Sequence, residues 1–230
     1  MTSAPHLPLR ILQAAGNARA LHPPPTRGAV DGICADIHVR DGEVLLGVAP
    51  RRLSGFAARL SPSRFRAADA ERITLDELLR AVDGRSRLVL RVHGGMGDPA
   101  AEIARVLYPL PDRSHLLVCA EDWAVADRLA AWLPGLRVAY LVLSEGPLRR
   151  YVQGRLDGSQ REVPLLVRDA LIHTPNEAQS LRGRAGALGA WSVGSAGRAR
   201  ELASWGVDLI ASESIDVLDA LAAGTTSDAT

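Results

Sequence analysis

Gly32-Ile33-Cys34-Ala35-Asp36-Ile37-His38-Val39-Arg40, closed by Asp41-Gly42 and followed by Glu43-Val44-Leu45-Leu46, is the stretch from which the fold can be read. Its first run has the β-rich composition of a strand. Asp-Gly is a tight-turn signal because both residues tolerate positive φ, so the chain is expected to return as a short strand over Glu43–Leu46. Working outward, comparable runs recur at Arg10–Ala15, Arg87–His93, His115–Glu121, Arg137–Ser144, Val163–Ile172, Leu188–Val193 and Val207–Ser212.

Helical segments with start signals separate these runs. Thr74-Leu75-Asp76-Glu77 is a capping box that opens an apolar-periodic helix to Val82. Asp98-Pro99 puts proline in a first helical turn, where its missing N–H costs nothing. Asp122 caps a helix through Leu133 that Pro134-Gly135 stops. Thr174-Pro175-Asn176-Glu177 is a second capping box, and Ser195 and Ser214 begin the last two helices. Eight strands alternating with helices predict one α/β domain, a (β/α)8 barrel of the TIM type, over residues 10–223. Residues 1–9 and 224–230 are expected as tails, the second polar and disordered.

One repeat departs from the pattern. Pro23-Pro24-Pro25 lies between the first two strands, and three prolines cannot continue a helix, so a loop is expected in place of the first helix. Gly47–Glu71 is long and arginine-rich, and is expected to cross one face of the barrel.

Composition bounds the function. The chain has 230 residues and a formal charge of +1, which provides no electrostatic footprint for nucleic acid or an anionic membrane. It contains no lysine, so Schiff-base and P-loop lysine chemistry are excluded. No apolar run reaches the roughly 18 residues of a membrane span. Cys34 and Cys119 lie in apolar runs without metal or disulfide spacing. A reducing, cytoplasmic setting is the expectation.

Alternation puts Cys34, Asp36 and His38 on one face of their strand, and Arg91 and His93 on one face of the next. Three readings follow for this cluster. Arg91 and Asp36 could form a buried ion pair; Arg91 with the histidines could bind phosphate or sulfate; Asp36 could orient a histidine as general base. Trp191 could stack on a ligand or pack in the core. His173 is expected as a loop residue before a helix, Trp132 and Trp205 as packing residues, and Arg149, Arg150 and Arg155 as a solvated helix face.

Four blocks carry a family resemblance. Val30–Ile37 with Asp41–Leu45 resembles the GADGIELDVxxTxDGxxVVxHD block of glycerophosphodiester phosphodiesterases. Thr74–Leu79 is similar to their TLEELL helix, Gly189–Val193 to their vWTVN strand, and Trp205–Ser212 to their terminal xxGVDGIITD. The order holds from about Ile11 to Leu221, nearly the whole chain. The resemblance implies a TIM barrel, hydrolysis of a phosphodiester with a divalent cation, and a place in lipid metabolism.

The site residues it implies are largely replaced. Ala14, Ala15 and Gly16 stand where the family has His-Arg-Gly, which supplies a catalytic histidine and a phosphate-binding arginine. Cys34, Ala35 and Asp36 match Glu-Leu-Asp, whose two carboxylates bind metal, so one carboxylate remains. Gly47-Val48 matches the second catalytic His with its Asp, while Arg91 and His93 match a metal-binding glutamate and a lysine. Gly16, Asp36 and Trp191 are what is left of the set. A general acid–base group contributes roughly 10²–10⁴-fold, and a divalent ion needs several oxygen ligands. A degenerate member is therefore expected, a pseudoenzyme needing no cofactor that binds a phosphorylated small molecule or an unidentified protein through Arg91, Trp191 and Gly16. The alternative is an active phosphoric diester hydrolase on glycerophosphodiesters, with catalytic Asp36, His38 and His93 and a calcium or magnesium ion on Asp36. An excursion covering the barrel mouth would favour a structural or interaction role.

Overall fold

A computed structural model describes residues 7–13, 30–47, 73–82, 86–94 and 97–223. Ala14, Ala15, Gly16, the Pro23–Pro25 loop, the excursion beyond Gly47 and the 224–230 tail lie outside the described residues.

Eight parallel strands close into a barrel. They are β1 (Leu9–Gln13), β2 (Gly32–Arg40), β4 (Arg87–Val92), β5 (Leu116–Ala120), β6 (Arg137–Val142), β7 (Leu165–Arg168), β8 (Leu188–Trp191) and β9 (Leu209–Ser212). The sheet runs β1-β9-β8-β7-β6-β5-β4-β2, and β1 pairs with β2 to complete the ring. β3 (Glu43–Leu46) is antiparallel to the outer half of β2, from Ile37↔Leu46 to Arg40↔Glu43. Asp41 and Gly42 both take positive φ in the two-residue turn between them, as the Asp-Gly signal required. Gly32 answers to a close approach: a Cβ there would lie 2.4 Å from the Arg87 carbonyl oxygen on β4.

Seven helices among the described residues cover the barrel: α1 (Leu75–Val82), α2 (Pro99–Leu107), α3 (Trp123–Trp132), α4 (Glu145–Asp157), α5 (Pro175–Ala185), α6 (Ala196–Ser204) and α7 (Ile215–Ala223). Their starts use the expected caps. The Thr74 hydroxyl accepts from the Glu77 N–H while Glu77 reaches back to the Thr74 N–H, and Thr174 and Glu177 repeat this box on α5. Asp98, Asp122 and Ser195 cap α2, α3 and α6.

Alternation along the strands divides the apolar residues into two cores. Outward residues such as Ile33, Ile37, Leu88, Leu90, Val118 and Val167 pack under the helices. Inward residues Ile11, Cys34, Val89, Cys119, Ala139, Leu141, Leu166, Leu209 and Ala211 fill the barrel.

The structure corrects three sequence expectations. The run Val163–Ile172 is a strand only over Leu165–Arg168 and then becomes a 3-10 turn, Asp169–Leu171. β8 pairs Trp191 with Arg168 and ends there, so the chain beyond has no ladder partner. Arg198 holds the turn instead by donating to the Asp169 and Ile172 carbonyls. Arg155 is not solvated; it donates to the Arg184 carbonyl at 3.0 Å and the Gln160 carbonyl at 2.9 Å, joining α4 to the end of α5. Trp132 is 46% exposed rather than packed, with the Arg128 guanidinium 5.6 Å from its ring centre. Trp205 does pack against the outer core, and Arg149 and Arg150 are exposed as expected.

Candidate functional site

β2 and β4 run side by side with Asp36 directly opposite Arg91. Inward phase and register together place both side chains at the C-terminal end of the barrel, the end where barrels of this kind carry their sites. Arg91 grips Asp36 bidentately, Nε donating to Oδ1 and Nη2 to Oδ2, the second at 2.7 Å. His93, the residue just after β4, donates from Nε2 to Asp36 Oδ1 at 2.9 Å. That assignment leaves its Nδ1 without a partner among the described residues. Asp36 is 3% exposed and Arg91 9% exposed.

The electrostatics follow from the contacts. Burial alone would push the Asp36 carboxyl upward; hydrogen bonds from His93 and Arg91, with the guanidinium charge, outweigh it and bring it down to about 2. Arg91 loses basicity through burial but regains more from Asp36, so its pKa lies above the ordinary value. The pair is ionised at neutral pH, and the Asp36 carboxylate is weakly basic, with both oxygens accepting hydrogen bonds.

Trp191 on β8 lies across the barrel with its ring centre 4.3 Å from the Arg91 guanidinium carbon. Trp191 Nε1 and Gln13 Oε1 are buried without a hydrogen-bond partner among the described residues, a donor and an acceptor on the strands flanking β9. His38 stands apart from the pair. It is buried, and its Nδ1 donates to the Gly47 carbonyl at 2.9 Å, where the hairpin folds back over Asp36. Burial lowers its pKa, partly offset by that hydrogen bond, so the ring is neutral at pH 7.

The structure thus brings together Asp36, Arg91, His93 and Trp191. It keeps His38 on backbone duty, and Gly16 falls outside the described residues. His173 is exposed; its N–H joins the α5 capping box, and it lines a groove between α4 and α5. One residue was missed. Arg168, last in β7, continues the inward phase of Leu166 and lies in register with Trp191. It is exposed and makes no hydrogen bond or ion pair to a described residue. Alternation along Leu165–Arg168 was the signal that could have found it.

The divalent cation implied by the family resemblance does not fit these residues. Asp36 has both oxygens committed to Arg91, and one of them to His93 as well. Among the described residues no three His, Cys, Asp or Glu side chains come together in a way that could hold a metal ion.

A closed parallel barrel with a polar C-terminal mouth defines this protein as a TIM barrel. No protein-family model matches the sequence, and no curated protein does. Solved structures do match. A glycerophosphodiester phosphodiesterase from Parabacteroides distasonis is 14% identical, with TM-score 0.71 over 96% of this chain and 100% of that one. A phosphodiesterase from Oleispira antarctica, in complex with its product sn-glycerol-3-phosphate, is 16% identical, with TM-score 0.69 over 94% and 97%. A glycerophosphodiester phosphodiesterase from Thermotoga maritima is 16% identical, with TM-score 0.64 over 94% and 99%. The chain shares the fold of these enzymes over nearly its whole length. No helix among the described residues is long and apolar enough to cross a membrane.

Proposed function

We propose that this protein is a degenerate glycerophosphodiester phosphodiesterase-type barrel, without the metal-dependent hydrolysis, that binds a phosphorylated small molecule at its C-terminal mouth. The observation that carries the reading is the saturation of Asp36 by Arg91 and His93. A carboxylate so held neither ligates a cation nor takes a proton at neutral pH. The mouth offers Arg168, the uncommitted edge of Arg91 and Trp191 to an anion, and a phosphate monoester suits paired guanidinium donors. The bound sn-glycerol-3-phosphate of the Oleispira enzyme supports that ligand class.

The test has two arms. Titration with sn-glycerol-3-phosphate is expected to raise the melting temperature saturably. Selective binding to the native state contributes about 2.7 kcal/mol at a hundredfold excess over Kd. Glycerophosphocholine and bis(p-nitrophenyl) phosphate, with calcium or magnesium, are expected to remain unhydrolysed. A flat melting curve would remove the ligand-binding reading. Metal-stimulated turnover that disappears in Asp36→Ala would establish the hydrolase alternative, in which Asp36 orients His93.

A further inference from the structure

The Arg91 guanidinium occupies the place beside Asp36 where a cation would have to sit. It is fixed on three sides. Two nitrogens are clamped by the carboxylate, the Trp191 ring covers its face at 4.3 Å, and β4 holds its backbone in register with Asp36. Nη1 takes no part in the clamp and has no partner among the described residues. Arginine suits this position because its charge is permanent and its planar fork matches a carboxylate on one edge while leaving the other free. Arg168 lies on β7, the strand adjacent to that of the same indole and in register with it, unpaired among the described residues.

We propose that Arg91 is a built-in cation substituting for a divalent ion, so that this mouth excludes metal and recognises its anionic ligand metal-independently, through the free edge of Arg91 and through Arg168. The part concerning the anion rests on the phosphorylated-ligand reading above; the exclusion of metal does not. The chemistry of the exclusion is direct. A divalent ion at Asp36 would lie against a guanidinium that cannot be deprotonated, and the repulsion is felt in a buried, weakly screened site. Replacing Arg91 by glutamate reverses the situation. Two carboxylates on adjacent strands with His93 beside them form a ligand set suited to calcium or manganese.

Calorimetric titration of the full chain with calcium, magnesium and manganese chlorides decides the first part. The native protein is expected to show no saturable heat and no melting shift up to millimolar ion. Arg91→Glu is expected to bind calcium or manganese saturably, with a melting temperature several degrees higher in the ion than in EDTA. Saturable binding by the native protein that is lost in Asp36→Asn would overturn the proposal. So would a folded Arg91→Glu that gains no affinity. If Arg91→Glu is unfolded in EDTA, circular dichroism in manganese decides: recovery of the native spectrum supports the proposal, and a chain unfolded in both overturns it. The second part is read by titrating sn-glycerol-3-phosphate in EDTA and in calcium. Equal Kd values are expected, together with at least a tenfold loss in Arg168→Ala. Binding seen only in calcium would overturn metal independence. No binding in either buffer would overturn the phosphorylated-ligand reading and this second part with it, with metal exclusion still judged by the first titration.

Discussion

At the N-terminal end of the barrel the inward side chains Leu9, Ile11, Val89, Leu117, Ala139, Leu166 and Leu209 surround a cavity of about 80 Å3, with Arg87, His115, Arg137 and Asp208 at its edge. At the C-terminal end the same alternation delivers Asp36, Arg91, His93 and Trp191, and the space is filled by charge. Hydrocarbon would have served stability at least as well there, because a buried ion pair rarely outperforms well-packed apolar residues of the same volume. The contrast teaches that the lower half is shaped by packing, which tolerates a void. The upper half holds a buried ion pair in place of hydrocarbon, and the proposed anion site would account for it.

The largest expected effect breaks this comparison at its centre. Arg91→Ala leaves Asp36 buried without its guanidinium, which costs about 3–5 kcal/mol and lowers the melting temperature by on the order of 10 °C in a chain of this size. Arg137→Ala, the control at the other end, removes an exposed charge and should stay within about 0.5 kcal/mol. Equal losses in thermal unfolding would show that the two ends do not differ.

Acid comes second. Asp36 titrates at about 2 in the folded chain against an ordinary 3.8. A depressed carboxyl contributes stability above its unfolded pKa and loses it as pH falls through the folded one. Urea unfolding should therefore lose about 2 kcal/mol between pH 4 and pH 2 on account of this group. The neutral, buried His38 adds a loss of the same sign below its ordinary pKa of 6.5. In Asp36→Asn the low-pH component should vanish; its persistence would place the acid sensitivity elsewhere.

A smaller effect is expected from the paired replacement Asp36→Leu with Arg91→Met, which removes both charges together. Its stability should lie within about 2 kcal/mol of the native protein, on either side, while the melting response to sn-glycerol-3-phosphate is lost. A large destabilisation would mean that the ion pair is structural. The smallest effect belongs to the cavity. Ala139→Val adds two methyl groups to the lower barrel and should stabilise by about 0.5–1 kcal/mol, without changing ligand response. Loss of ligand response there would join the two ends into one functional unit.

Much of the fold was legible because its determinants are local. Gly32–Arg40 and Glu43–Leu46 form as strands over the very residues that pattern and turn chemistry indicated, and the caps at Thr74, Asp98, Asp122, Thr174 and Ser195 act through neighbours two or three residues away. The end of β7 was not legible, because it depends on where β8 stops. For the site, the phase of Asp36, Arg91 and His93 could be read from alternation, and the ion pair was among the readings it allowed. The stacking of Trp191 on Arg91 joins residues remote in sequence, and nothing near either one signals it. His38 was grouped with Asp36 by phase, yet the hairpin brings the Gly47 carbonyl within reach and engages it there.

Cys34 and Cys119 lie inside the barrel, and burial drives the Cys34 thiol up to about 12 and Cys119 well above its ordinary value. Neither is a nucleophile while the strands stay closed. The two sulfurs are therefore a built-in clock for barrel opening. Under native conditions a disulfide reagent should label them only as fast as the ring of strands parts, at a rate that becomes independent of reagent concentration once labelling outpaces closure. Mass spectrometry of the labelled chain would then time the opening of the structure that holds Asp36 and Arg91 together.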